Sequence, residues 1–176
     1  MTHEIIIAGF GGQGILLMGQ ILAHGAMLED KEVSWFPSYG PEMRGGTANC
    51  SVVIANSQIG SPVVSEPTEA IIMNQPSLDK FGPLLRRGGL LIINSSLVVK
   101  PDGQDRVIQV PANDVAAKVG SPKVANMVML GAFLQATGIV SLPRIIDALE
   151  AVLPHRHHGL IPLNVQALKM GRQFVK

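Results

Sequence analysis

Six residues near the start of the chain, Gly9-Phe10-Gly11-Gly12-Gln13-Gly14, have the G-x-G-x-x-G spacing that lets a backbone approach a phosphate closely. Glycines there permit a tight turn with uncovered N–H groups, and a helix starting at that point adds a partial positive charge. A dinucleotide would also require an acid at the end of the next strand to hold the ribose. That strand ends in Phe36-Pro37-Ser38, the next acid, Glu42, lies inside a loop, and Glu29, Asp30 and Glu32 come too early. A P-loop does not fit either, because Ile15-Leu16 replace the Lys-Ser/Thr pair that binds phosphate and Mg²⁺. Two readings of Gly9, Gly11, Gly12, Gln13 and Gly14 stay open: a close-packed strand-to-helix turn, or a seat for another anionic group or a partner chain.

A second segment, Tyr39-Gly40-Pro41-Glu42-Met43-Arg44-Gly45-Gly46, follows Pro37-Ser38 and is too rich in turn residues for regular structure. It comes after the second strand, so in a parallel sheet it shares the carboxyl edge with the glycine turn, where ligands of open α/β sheets bind. Tyr, Met and Arg on a glycine-flanked loop are the residue types enriched at interface hot spots. The alternative is a plain surface loop with Glu42 and Arg44 solvated. The remaining reactive residues are less suggestive. His155-Arg156-His157-His158 has no accompanying ligand cluster and an Arg that would oppose a cation, so it reads as an exposed connection between helices. Cys50 falls within a strand and reads as a small buried hydrophobe. No Ser-His-Asp spacing, acid pair or H-x-x-x-H site stands out. The expectation is a chain with neither catalytic residues nor a metal site.

The elements that would position these residues alternate early and turn helical late. Strands are expected at Ile5–Ala8, Val33–Phe36, Thr47–Ala55, Ala70–Met73, Leu90–Ile93 and Val107–Val110, with a shorter Pro-containing candidate at Ile59–Val64 suited to a sheet edge. Helices are expected at about Ile15–Leu28, Pro76–Leu85, Asn113–Val119, Ala125–Thr137, Pro143–Leu153 and Ile161–Phe174. The pattern predicts a three-layer α/β fold with a mostly parallel, mixed sheet, a Rossmann-like first βαβ unit and a helical C-terminal portion. With no repeat or linker in 176 residues, residues 1–176 read as one domain.

Bulk composition narrows the partners. Net charge is +1 and aromatics are 4%, which leaves neither a basic field nor stacking platforms for nucleic acid. Charged residues at 15% are sparse against roughly 25% in average proteins, as expected if partners cover part of the surface. One cysteine cannot form an internal disulfide or supply the four thiolates of an iron–sulfur cluster. The segments Ile5–Leu28 and Val124–Pro143 lack charges, but glycines and amides interrupt them, so buried helices explain them better than membrane spans. Without a basic leader at Met1-Thr2-His3-Glu4, the expected setting is the cytoplasm.

Taken together, G-F-G-G-Q-G-I at Gly9–Ile15 and P-S-Y-G-P-E-M-R-G-G-T-A-N-C at Pro37–Cys50 resemble signatures of the γ subunits of 2-oxoacid:ferredoxin oxidoreductases. N-Q-P-S-L-D-K-F at Asn74–Phe81, G-G-L-L-I-I-N-S-S at Gly88–Ser96 and A-N-M-V-M-L-G-A at Ala125–Ala132 are similar as well. The resemblance implies a non-catalytic subunit of an enzyme that oxidatively decarboxylates a 2-oxoacid, forms an acyl-CoA and reduces ferredoxin. It implies α and β partner chains, and a ferredoxin-like δ chain in some complexes. Thiamine diphosphate with Mg²⁺ and the iron–sulfur clusters would sit on those chains, and CoA would be received by the assembly. Asn74 and Asn126, within two of the similar segments, are candidates for a further edge of the site. The wording Tyr39-Gly-Pro-Glu-Met-Arg44 is most similar to γ chains acting with 2-oxoglutarate, and also to branched-chain 2-oxoacid types; pyruvate types more often carry Phe and a second Arg at the positions of Tyr39 and Met43. The competing classes are a nucleotide-dependent oxidoreductase and a free-standing module for CoA or a nucleotide.

Overall fold

The computed structural model describes residues 2–38 and 47–176. The first strand, β1 (Thr2–Phe10), carries the unbroken run Ile5-Ile6-Ile7-Ala8, all buried, because the sheet is covered on both faces here. Then come α1 (Ile15–Met27), β2 (Glu32–Ser38), β3 (Thr47–Ala55), β4 (Glu69–Ile72), α2 (Gln75–Phe81) and β5 (Leu90–Asn94). The chain continues through β6 (Val107–Val110), α3 (Ala112–Val119), α4 (Ala125–Thr137), α5 (Leu142–Val152) and α6 (Ile161–Arg172), with a 3-10 helix at His155–Leu160 joining the last two.

The six strands are ordered β2-β3-β1-β4-β5-β6. β1, β4, β5 and β6 are mutually parallel neighbours, whereas β3 runs antiparallel to both β1 and β2. The sheet is therefore mixed, as expected, but the first βαβ unit differs from the simple reading. Its two strands are parallel yet not adjacent, because the chain returning from β2 fills the gap as β3. The expected strand at Ile59–Val64 does not form. Pro62 lacks a donor for a ladder, and Ile59 and Val64 pack as loop residues against the sheet.

Alternation along β1 sorts its side chains between two cores. Ile5 and Ile7 face a large core with α1, α3, α4, α5 and α6, while Ile6 and Ala8 face a smaller one with Leu78 and Phe81 of α2. Within the larger core, α4 is buried from Ala125 to Leu134, which accounts for its lack of charge. Gly131 and Gly171 bring α4 and α6 into backbone contact: a Cβ on either would collide with a carbonyl of the other helix. Among the described residues, no helix is long and apolar enough to cross a membrane.

Candidate functional site

α1, which follows β1, lies on the large-core face, and α2, which follows β4, lies on the other. The crossover direction thus reverses between β1 and β4, and the carboxyl ends of those two strands flank the crevice where open α/β sheets take ligands. The glycine turn sits at that point. Inside it, Gln13 N donates to Phe10 O (3.2 Å), and Phe10 N donates to Gln13 Oε1 (2.6 Å). This leaves the Gln13 amide nitrogen outside the turn's own bonds. A Cβ on Gly9 would lie 2.6 Å from Gln13 Oε1 and 2.8 Å from Met73 Cβ, so close packing excludes a side chain there. Gly12 and Gly14 adopt φ values of +93° and +73°, and the space beside Gly12 is open.

Three asparagines hold the ends of the elements around this turn. Asn126 is buried at the start of α4; its Nδ2 donates to Gly14 O (3.2 Å) and its Oδ1 accepts from Met127 N (2.9 Å). Asn74, 1% exposed, caps α2 by accepting from Ser77 N (2.9 Å). Its Nδ2 and the Ser77 hydroxyl are buried without a partner among the described residues. Sequence reasoning missed the third, Asn94. Its Nδ2 donates to Asn113 Oδ1 (2.9 Å), and its Oδ1 accepts from Ala112 N (3.1 Å), tying β5 to α3. The signal was present, since Asn94 ends an apolar run as Asn74 does, but only tertiary structure shows the two ends to be neighbours.

Gly12, Gln13, Met73, Asn113 and Lys123 line a crevice of about 180 Å³. Lys123 was not expected here. It lies in the short 3-10 turn Pro122–Val124 that leads into α4, and the Asn126–Gly14 bond brings that helix start to the turn. The described lining offers glycine backbone, amides and one ammonium group, all compatible with an anion. The segment Tyr39–Gly46 lies outside the described residues. Its flanks are placed, however: Thr47 pairs with Phe10, and Asn49 pairs with both Ser38 and Ala8. The chain therefore leaves and re-enters the sheet at the edge that bears the glycine turn.

Geometry weakens the dinucleotide reading further. β3 separates β2 from β1, so an acid at the end of β2 would lie two strand spacings, about 10 Å, from the glycine turn. Cys50 is fully buried, and desolvation pushes its thiol up to about 12. A neutral thiol enclosed in this way does not fit a metal cluster. Among the described residues, no three His, Cys, Asp or Glu side chains gather as metal ligands.

A mixed sheet with helices on both faces, a glycine turn and a crevice at its switch point defines a doubly wound α/β domain. The sequence profile of the family described as Pyruvate ferredoxin/flavodoxin oxidoreductase matches residues 4–174, and the chain belongs to that family. It is 39% identical over 176 residues to the ketoisovalerate oxidoreductase subunit VorA of Methanothermobacter thermautotrophicus, covering 98% of this chain and 36% of that protein. The chain thus spans about a third of the length of that relative. It is 38% identical over 184 residues to the 2-oxoglutarate synthase subunit KorC of Methanothermobacter marburgensis, covering 99% of this chain and 97% of the other. The crystal structure of a keto/oxoacid ferredoxin oxidoreductase γ subunit from Geobacter sulfurreducens superposes with a TM-score of 0.84 at 33% identity, covering 98% and 97% of the two chains.

Proposed function

We propose that this chain is the γ component of a 2-oxoacid:ferredoxin oxidoreductase, with 2-oxoglutarate as the oxoacid and succinyl-CoA as the product. The observation that carries this reading is end-to-end similarity to a stand-alone 2-oxoglutarate synthase subunit, with 97% of that relative covered. The VorA likeness is equally strong per residue but covers only 36% of a longer protein. In this reading the chain transfers no electrons and breaks no bonds. Thiamine diphosphate, Mg²⁺ and the iron–sulfur clusters belong to α and β partners, with ferredoxin as the final acceptor. The glycine turn faces the interior of the complex and receives an anionic group of CoA or of a partner, and Tyr39, Met43 and Arg44 serve as anchors for a partner chain.

The test is purification of the native protein through a tag on this chain, followed by a ferredoxin-reduction assay. Two larger companion chains and CoA-dependent reduction with 2-oxoglutarate are expected, at a rate above those with pyruvate or 2-ketoisovalerate. Recovery of the chain alone would overturn the assignment as a subunit. Activity with a branched-chain 2-oxoacid above that with 2-oxoglutarate would overturn only the choice of substrate.

A further inference from the structure

On the face of the sheet away from α1, the smaller core is covered by the seven-residue α2 and by loops, because the connection from β5 to β6 contains no helix. Val98 anchors that connection in the core, and Val99 N donates to Gln75 Oε1 (2.9 Å), which ties it to the start of α2. Between α2 and the connection lies a cavity of about 450 Å³. Its floor is apolar: Leu78 and Leu91 are buried, and Pro83 and Pro101 extend the apolar lining. Its walls carry both signs of charge, Asp79 and Asp102 against Lys100, with the Gln104 amide beside them. Asp79 Oδ1 accepts from Gln75 Nε2 (3.0 Å), which leaves Oδ2 unspent. None of the three charged groups forms an ion pair among the described residues. Lys100 therefore stands too far from either carboxylate to neutralise it, although all three line one cavity. Cavities of about 300 to 1,000 Å³, apolar with a few convergent polar groups, are the usual form of small-molecule sites.

We propose that this cavity is a binding site for a free α-amino acid with an apolar side chain. The ammonium group lies against Asp79 and Asp102, the carboxylate against Lys100 and the Gln104 amide, and the side chain over Leu78 and Leu91. A purely cationic ligand would be repelled by Lys100, and a purely anionic one would meet two carboxylates. An uncharged apolar ligand would strip water from three charges and return nothing to them. A zwitterion with an apolar side chain uses every group on the page, and it bridges the opposite charges that the fold keeps apart. A chain terminus of a partner carries only one of the two charges, so the pairing of signs favours the free amino acid. The site is separate from the glycine turn and does not rest on the function proposed above.

Titration calorimetry on the full chain, alone and in its purified complex, tests the site with leucine, glycine, leucinamide, N-acetylleucine and glutamate. Leucine is expected to bind at least about tenfold more tightly than each of the other four. Glycine lacks the apolar side chain, leucinamide the carboxylate and N-acetylleucine the ammonium group, while glutamate brings a second carboxylate toward the two aspartates. Asp79→Asn keeps an acceptor for Gln75, and Lys100→Gln changes an exposed position, so both variants should fold as the parent does. Each should weaken leucine by about tenfold. Affinity for inorganic pyrophosphate, the probe for the glycine turn, should stay at the parental value in both. The site is overturned if leucine binds in neither preparation, if any of the other four binds as tightly as leucine, or if leucine affinity is unchanged in either variant. A fall in pyrophosphate affinity that matches the fall for leucine overturns it too, because the effect would then lie in the fold rather than in the cavity.

Discussion

The two edges of the sheet are held by different chemistry. At the amino edge, charges are paired internally. His3 Nδ1 lies 2.8 Å from Glu69 Oε1, and the Thr68 hydroxyl donates to the other Glu69 oxygen. Lys31 Nζ donates to Glu29 Oε2 (2.8 Å) and to Ile139 O, while Ser141 N donates to Glu29 Oε1 (2.8 Å). These bonds tie the segment after α4 to the end of α1. At the carboxyl edge, Asn74, Asn94 and Asn126 do the tying with neutral amides, and Lys123 forms no ion pair among the described residues. Paired charges satisfy each other and close an edge; neutral ties hold backbone in place while leaving N–H groups and a cation for something else. The binding role proposed above falls on the carboxyl edge.

The comparison can be broken most severely at Gly14. Replacement by Val adds a β-branched side chain at φ +73° and drives it into the Asn126 amide, so strain and overpacking combine to cost about 3 kcal/mol. Gly12→Ala meets open space and pays only for its φ of +93°, about 1 kcal/mol. Urea unfolding of the two variants checks the difference. Equal losses would mean that Asn126 does not buttress the turn.

At the opposite edge, Glu69→Ala removes a buried acceptor shared by His3 and Thr68, and about 2 kcal/mol of stability should go with it. The amino edge in this account has no part in binding, so ligand affinity in the folded variant should match the parent. Weakened pyrophosphate binding in that variant would dissolve the division between the edges.

The smallest effect sharpens the electrostatic side of the contrast. Partial burial pushes the Glu29 carboxyl up, but hydrogen bonds from Lys31 and Ser141, with the Lys31 charge, outweigh it and hold the group below the ordinary carboxylate range. A depressed folded value means that the ionised form stabilises the fold. That contribution is complete above the unfolded carboxylate pKa and is lost as pH falls through the folded one. Thermal melts of the parent and Glu29→Gln should therefore differ at neutral pH and converge in acid. A difference that persists unchanged at low pH would show that packing, not charge, accounts for Glu29.

Much of the architecture was legible from local pattern alone. Thr47–Ala55, Val107–Val110 and Ala125–Thr137 form the expected elements with the expected bounds, because period and length specify a buried strand or helix without reference to neighbours. The glycine turn, too, could be placed between β1 and α1 from its spacing. Ile59–Val64 misled for the same reason: it has a strand's apolar content, yet Pro62 and the lack of a pairing partner leave it a loop. Strand order was beyond local pattern. The insertion of β3 between β1 and β2 depends on pairing Thr2 with Ala55 and Glu32 with Ala55, contacts that no window of a dozen residues contains.

The site divides in the same way. Residue types and spacing along the chain determined that a strand-to-helix turn would fall within Gly9–Gly14, that Cys50 would be buried and that the C-terminal portion would be helical. That Lys123 faces Gly12 across a crevice, that Asn126 bonds Gly14 from 112 positions away, and that Leu17 shares a cavity with Asn164 were decided only by the tertiary structure. The physical reason is that a turn is made by the residues within it, whereas a cavity is made by whichever distant elements the packing of α1, α4 and α6 brings together around it.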